Sequence, residues 1–540
     1  MFNGANAALE ARGGCRVRTR TDSVSVRGRN AETGGGLRPA VFLDRDGTII
    51  EDRGHLRDPS QVVFYPDAFP ALRRLGGHFA LFIVTHQPGI AAGLISPAEA
   101  DAVNRHVVDV LRARGVEIEA VYCCPHARDE GCPCIKPNSF FMEQAARNCG
   151  LDLKQSFVVG DHPNDVRMAA NAGATGIYVL TGHGLKHRAE LGSGAVVVQG
   201  IREAAEWIFS CLDMRRLEER EPGILDRAAE LIRNGGVVAF PTETVYGLGA
   251  NAFDGRAVAR IFEIKRRPRF DPLIVHVAGP ESMEQLVTDI PRPARLLMER
   301  FWPGPLTLVL EKSGRVPDIV TAGLPTVAVR MPRHPMAIAL IERCGSPIAA
   351  PSANLFGCVS PTAAEHVAEQ LGDNADLILD GGPTSVGIES TVLAFLPDGP
   401  VLLRHGGVEV EAIEAAIGPV SCDRRTRDDG RVESPGMLPR HYAPRTPLKT
   451  VDRGETEFET WGGKVGYLAF RSPPQGGHFE AVEVLSPDGD MRGAAARLFG
   501  AIRRLDSMGL DLILAELVPN EGLGRAVNDR LSRAENLHSG

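Results

Sequence analysis

Apolar runs in this chain repeatedly break off into polar residues, and that pattern predicts its architecture. Residues 41–43 form a short apolar run followed at once by acids and Gly47, and ALFIVTHQ (80–87) and SFVVGDHPND (156–165) repeat the arrangement. Runs of this kind fit strands buried on both faces of a parallel sheet. Helical stretches separate them, so the rhythm predicts a doubly wound parallel α/β domain over residues 38–212. Such sheets bind ligands beyond the carboxyl ends of their strands. All three runs place their polar residues there.

A second rhythm begins after MRRLEEREPG (214–223), which reads as a solvated linker or helix edge covering 213–221. GGVVAFPTETVYGLGANA (235–252) runs from a strand into a threonine-rich turn, with glycines suited to close approach of backbone to a ligand. IFEIKRRPRFDPLIVHV (261–277) passes from a basic stretch back into a strand containing His276. At the other end, residues 1–37 carry six arginines, no lysine and almost no apolar periodicity. They predict a disordered tail, and three acids among them argue against a transit peptide.

Composition narrows the class. The chain has 540 residues, 43% hydrophobic and 24% charged, a length that predicts three to four globular domains. No run approaches the ~18 apolar residues of a membrane helix, and the start lacks the apolar core of a secretory signal. A cytoplasmic chain with no membrane partner is expected. A formal charge of -8 gives no general basic footprint, so stable nucleic-acid binding is not expected.

Four of the ten cysteines, at 123, 124, 132 and 134, fall within CCPHARDEGCPC, and the other six are scattered. That is not the spacing of a secreted disulfide framework. A disulfide, a structural zinc site and a catalytic metal centre share this residue chemistry, and a reducing compartment favours metal. Cys124, His126, Cys132 and Cys134 can close a tetrahedral S₃N site, and a site with no open position is structural. Incidental reduced thiols are the plain alternative.

Asp44 and Asp46 project from the first strand end, Thr85 from the second, and Asp161 with Asp165 from the third; Lys136 follows the cysteines. Crowded carboxylates (Asp44, Asp46, Asp161, Asp165) need a hard cation, and Mg²⁺ shared with a substrate phosphate fits. Asp44 can attack phosphorus, with Asp46 as acid for the leaving alcohol and then base for water. Thr85 and Lys136 would hold the transferring phosphoryl oxygens.

DRDGT, Thr85, Lys136 and GDHPND together resemble the haloacid dehalogenase phosphatase superfamily over about 38–212. The C-x-H and C-x-C pairs are similar to its branch of histidinol phosphatases and D-glycero-D-manno-heptose 1,7-bisphosphate phosphatases. The resemblance implies a Mg²⁺-dependent phosphatase of a phosphosugar, with a structural zinc bracing a loop that faces substrate. Histidinol phosphate as substrate, or a silent scaffold, is the alternative. The branch usually reads TNQSGIARG and CRKP where this chain has THQPGIAAG and CIKP. Ala92 and Ile135 thus replace two arginines, which are bidentate anchors.

In the second region the KRR run, taken alone, reads as a solvated basic helix end. However, FWPGPLTLVL (301–310), TVAVRMPRHP (326–335), APSANLFGCVSPT (350–362), GIESTV (387–392) and LLRHGG (402–407) follow in order. Together they resemble the YrdC-like threonylcarbamoyl-AMP synthase family over 222–420. SPGMLPRHYAP (434–444) resembles the linker of its long form, here 421–446, and 447–540 resembles that form's C-terminal domain. The resemblance implies a twisted open α/β domain followed by a small α/β domain. The implied reaction joins L-threonine, bicarbonate and ATP into threonylcarbamoyl-adenylate with release of pyrophosphate. A partner complex would pass the group to tRNA.

Residue by residue, the resemblance implies that Lys265, Arg267, Ser352 and Asn354 surround the phosphates. ATP contacts would come from Arg267, Asp271, Thr326, Ser352, Ser360, Arg404 and Tyr442. Threonine would be held by Thr244, His276, Arg330, the backbone at Ala350, and Ser390, with the planar fork of Arg330 taking the carboxylate. Asp271 stands where asparagine is usual, and His405 where proline is usual. Tyr442 belongs to a Pro- and Gly-rich segment expected to order over nucleotide and exclude water, a passive tether being the alternative. An RNA-binding module without catalysis is the rival reading, but it would not need the threonine-side residues.

Overall fold

The apolar runs form the strands expected of them. The structure is a computed structural model that describes residues 37–192, 194–396, 398–422, 442–452, 463–474 and 478–535. It divides into two units, residues 1–208 and 209–540. The arginine-rich start (1–36) and residues 423–441 of the expected linker lie outside the described residues.

In the first unit, six strands form one sheet: β1 (Ala40–Leu43), β2 (Ala80–His86), β3 (Ala120–Cys124), β4 (Phe157–Gly160), β5 (Thr175–Val179) and β6 (Val196–Val198). Their order is β3-β2-β1-β4-β5-β6, with every pair parallel. β1 and β4 are buried throughout, as a sheet covered on both faces requires. The rings of Phe42, Phe82, Tyr122 and Phe141 stack in succession on one face. Strand order reverses at β1, which opens a crevice beyond its carboxyl end. Leu43 is level with both Ile83 and Val159, so the polar residues that follow all three strands emerge along one edge.

In the second unit, nine strands form a mixed sheet: β7 (Val238–Phe240), β8 (Gly247–Asn251), β9 (Ile274–His276), β10 (Leu306–Glu311), β11 (Thr326–Arg330), β12 (Ile348–Ala349), β13 (Leu377–Ile378), β14 (Thr391–Leu396) and β15 (Gly399–Arg404). The order is β13-β7-β8-β12-β9-β11-β10-β14-β15. A smaller parallel sheet follows, made of β16 (Leu448–Val451), β17 (Val465–Ala469), β18 (Ala481–Val484) and β19 (Leu512–Glu516), in the order β16-β19-β17-β18. The chain is thus α/β throughout.

The structure adds detail at two of the boundaries. Residues 213–220, read as a linker or helix edge, are the last turns of the helix Ile201–Arg220. Leu217 and Met214, three apart, pack on the cluster of Ile224, Leu225 and Ala228, so the charged run is only the outer face of a helix. The C-terminal domain, drawn from 447, shares one core with what precedes it: Val245, Val359, Ile388 and Tyr442 pack with Leu498, Phe499, Ile513 and Leu531. Among the described residues no helix is long and apolar enough to cross a membrane.

Candidate active sites

The first site lies at the carboxyl edge of the parallel sheet. Asp44 directly follows β1, Thr85 lies within the last two residues of β2, and Asp161 directly follows β4. Asp165 sits in the first turn of the helix Pro163–Asn171 and caps it by accepting from the His162 N–H at 3.2 Å. Lys136 joins them, with its ammonium against Asp44 and 2.6 Å from Asp165. Gly47 (φ +78°) and Gly182 (φ +55°) press on Asp161, and a Cβ at either would collide with its Oδ2. Only glycine lets backbone come so close.

The electrostatics follow from this crowding. Burial, reinforced by Asp165 and Asp46, pushes the Asp44 carboxyl up to about 7 against the pull of Lys136. Burial and Asp44 push Asp161 up to about 8. Burial works against the charge of Lys136, but Asp165 and Asp44 more than offset it and raise its pKa. Carboxylates that resist joint ionisation are the donor set a divalent cation relieves.

Asp46 is held differently. Its Oδ2 accepts from Arg45 at 2.7 Å and from Gln87 at 2.8 Å, while Gln87 also donates to Thr85 at 2.9 Å. Arg45, buried, is anchored in turn by Asn104 at 2.6 Å. The sequence reading missed Arg45, Gln87 and Asn104. The first two lie inside the DRDGT and THQ strings, whereas Asn104 comes from a distant helix and carries no local signal.

Beside this edge, Cys124, His126, Cys132 and Cys134 offer ligand atoms within 4.8 Å of one another. The Cys134 Sγ lies 3.2 Å from Cys124 and 3.4 Å from His126 Nδ1. Such spacings approach the edges of a tetrahedron with metal–sulfur bonds of about 2.3 Å. His86, at the end of β2, reaches the His126 carbonyl at 2.8 Å. Ile135 packs into the core of the first unit, while Ala92 is exposed.

The second site is a cavity in the second unit, built where the mixed sheet's strand ends converge. All five residues expected to hold threonine line it, with Arg267, Ser352, Arg404 and Tyr442 of the nine expected for ATP. Register explains the grouping: Arg330, the last residue of β11, is level with His276, the last of β9, which faces Ile348 of β12. Ala350 follows β12, Ser390 precedes β14, and Arg404 ends β15. Thr244 comes from the tight β7–β8 loop.

Arg330 is already engaged. It donates to Thr244 at 2.8 Å and to the Gly304 carbonyl at 3.2 Å, and pairs with Glu243 at 2.7 Å. Burial opposes the charge of Glu243, but Arg330 and Arg333 win and hold its carboxyl below the usual range. Burial, then Arg330, lowers His276 to about 3, so it is neutral at physiological pH. Among the described residues its buried Nδ1 has no hydrogen-bond partner.

The KRR run is not a solvated helix end. The helix Gly255–Lys265 stops on Arg266 in the left-handed conformation (φ 52°). That turn leaves Arg266 exposed and sends Lys265 and Arg267 inward. Lys265 donates to the carbonyls of Ser352 and Asn354, and burial, then Arg267, depresses it well below its ordinary value. Arg267 holds the Asp271 and Pro272 carbonyls at 3.1 and 2.9 Å and pairs with the Asp271 carboxylate at 2.8 Å. Arg404 donates to the Ser390 carbonyl at 3.0 Å.

Lys265, Asp271, Asn354 and Ser360 are buried but are not among the residues that line the cavity. Thr326 opens β11 opposite Glu311, away from the lining. Tyr442 is buried at φ 69° and packs on Phe499. Two acids went unpredicted, Glu243 and Glu389. Both lie in quoted motifs, but only the fold shows that each pairs with a buried arginine.

Comparison with known proteins bears on both regions. The family model shared by Sua5, YciO and YrdC proteins, described as telomere recombination, matches residues 230–406. One described as threonylcarbamoyl-AMP synthase, C-terminal domain, matches 408–535, and one described as HAD-hydrolase-like matches 133–204. A threonylcarbamoyl-AMP synthase of Pyrococcus abyssi is 48% identical over 320 residues, 57% of this chain and 92% of that protein. The crystal structure of P. abyssi Sua5 complexed with L-threonine covers 58% of this chain and 94% of that one at 46% identity, with a TM-score of 0.54. A structure of the D,D-heptose 1,7-bisphosphate phosphatase of B. bronchiseptica, complexed with magnesium and phosphate, aligns with 31% of this chain and 96% of its own at 31% identity, TM-score 0.30. The chain belongs to the threonylcarbamoyl-AMP synthase family, and its synthase region is preceded by a region that the HAD-hydrolase-like model matches over 133–204.

Proposed function

We propose that the buried cavity of the second unit binds L-threonine at Thr244, His276, Arg330, Ala350 and Ser390, and ATP at Arg267, Ser352, Arg404 and Tyr442. The threonine amine and bicarbonate form a carbamate and water. A carbamate oxygen then bonds to the α-phosphorus of ATP, the bond to the bridging oxygen breaks, and pyrophosphate leaves. Buried guanidinium groups at Arg267 and Arg404 meet the charge that develops on the leaving group. Neutral His276, with its unpartnered Nδ1, suits the threonine hydroxyl. Arg330 keeps one face of its fork on Glu243 and Thr244 and presents the remainder to the carboxylate.

The observation that carries this reading is that one cavity collects every residue expected to hold threonine. Pyrophosphate release that requires ATP, threonine and bicarbonate together is the expected result; release without threonine would defeat it. A partner complex in the cytoplasm would then transfer the group to tRNA.

For the first unit we infer a phosphatase of a phosphosugar of the heptose bisphosphate kind. Asp44 attacks phosphorus while Thr85 and Lys136 hold the phosphoryl oxygens. Asp46, set apart by Arg45 and Gln87, gives a proton to the leaving oxygen and later takes one from water. Magnesium would be held by Asp44, Asp161 and Asp165, and bound there it neutralises carboxylates and phosphate together. Asp46, first read as a fourth ligand, fits the acid–base role better because Arg45 already pairs with it. Zinc on the Cys124, His126, Cys132 and Cys134 group would brace the loop carrying Lys136. Phosphate release from a panel of phosphosugars and histidinol phosphate identifies the substrate. Turnover of histidinol phosphate alone would overturn the phosphosugar reading.

A further inference from the structure

We infer that Arg530, contributed by the C-terminal domain, is a positioning residue for the nucleotide side of the synthase cavity; the inference rests on the adenylation reading above. Arg530 lies in the helix Leu523–Ala534 and is fully buried. A guanidinium removed from water is costly unless its donors are satisfied. Here each nitrogen has a partner. Nε donates to Glu389 at 2.8 Å, Nη1 to Asp529 at 2.8 Å, and Nη2 to the His405 carbonyl at 2.9 Å. Its carbon stands 5.2 Å from the centre of the Tyr442 ring, within cation–π range.

Each partner leads to the cavity. Glu389 and Tyr442 line it, and the other Glu389 oxygen accepts from Ser360 at 2.6 Å. His405 follows Arg404, itself in the lining. One guanidinium therefore ties together the approach to β14, the exit of β15 and the linker's Tyr442. Proline, usual at position 405, would offer the same carbonyl, so this departure leaves the tie intact.

Arg530 is not needed merely to attach the domain. Gly387 lies against the backbone of Ala495 and Ala496, where a Cβ would collide, Arg503 donates to the Val359 carbonyl, and the shared apolar core surrounds both. What Arg530 adds is a fixed charge and orientation for Glu389 and Tyr442. On this inference the C-terminal domain completes the nucleotide side of the cavity.

The test uses the full chain. ATP and threonine affinities are measured by calorimetry without turnover, and KM values by pyrophosphate release. Arg530→Met, which keeps volume and loses the fork, is expected to weaken ATP binding and raise its KM about tenfold, with threonine values changed less than twofold. Arg530→Lys should recover part of the loss. Equal effects on both substrates, or none, would overturn the inference. If Arg530→Met fails to fold, Glu389→Gln, which leaves the arginine in place, carries the same expectation of a selective ATP defect. A wild-type chain that binds ATP but releases no pyrophosphate would defeat the proposed reaction, and the ATP affinities of the variants would still decide the role of Arg530.

Discussion

The two sites solve opposite electrostatic problems. At the edge of the parallel sheet, carboxylates crowd around one lysine, and the excess negative charge calls for a cation. In the synthase cavity, buried cations dominate, each anchored by backbone carbonyls or one acid. On the proposed reading, a phosphate would arrive at the first site already negative and would need a metal to offset the carboxylates. The triphosphate of the second meets guanidinium groups that the protein has desolvated in advance, where their field is least screened. The first arrangement needs only a few residues at adjacent strand ends, whereas the second needs a wall of contacts from the whole unit.

The sharpest break between them is Asp44→Asn. Removing the nucleophile should reduce phosphatase turnover by on the order of 10⁴-fold, with pyrophosphate release by the synthase unchanged. Loss of both activities would show that the two sites do not work independently.

Next in size is Arg330→Lys. An ammonium cannot serve Thr244, Gly304, Glu243 and a substrate carboxylate at once, and Glu243 would be left buried without its fork. The KM for threonine should rise by about 30- to 100-fold, with the KM for ATP nearly constant. An ATP defect of equal size would mean that the substitution deforms the cavity as a whole.

A smaller effect is expected at the cysteine cluster. Cys134→Ser should lower bound zinc, measured by elemental analysis of the purified chain, and reduce phosphatase kcat by about tenfold, leaving the synthase untouched. Full zinc occupancy with full activity would reduce the cluster to incidental thiols.

How far each site could be read from sequence follows from the same contrast. Asp44, Asp46, Thr85 and Asp161 sit on short strings at strand ends, so strand periodicity alone brought them to one edge, whereas Lys136 lies in the loop after β3 and was reached only through its place after the cysteines. The cavity residues span Thr244 to Tyr442, and no periodicity indicates that β9, β11 and β12 bring His276, Arg330 and Ala350 together. Only the family resemblance reached them. What neither route supplied was the partners: Asn104 behind Arg45, Glu243 behind Arg330, Glu389 beside Arg530. These are buried ion pairs and hydrogen bonds between distant segments, and composition reads such acids as surface charges. The same limit left 213–220 open between linker and helix edge, because acids and arginines masked the apolar pair Met214 and Leu217.

Asp271 gives the finest discrimination between a site that needs negative charge and one that needs positive charge. Placed near triphosphate, its carboxylate should repel the ligand, and the fold shows how that cost is moderated. Burial pushes the Asp271 carboxyl up, while Arg267, Lys265 and Arg404 pull it down, and it spends its charge on Arg267 at 2.8 Å. Arg267 does not depend on that pair for its place, because the Asp271 and Pro272 carbonyls hold it as well. Asp271→Asn keeps the shape, leaves those two hydrogen bonds and releases the guanidinium's charge toward the cavity. The KM for ATP should fall by about threefold, with the KM for threonine unchanged. A rise would mean that the carboxylate is what aims Arg267, and the second site would then share the first site's dependence on a well-placed acid.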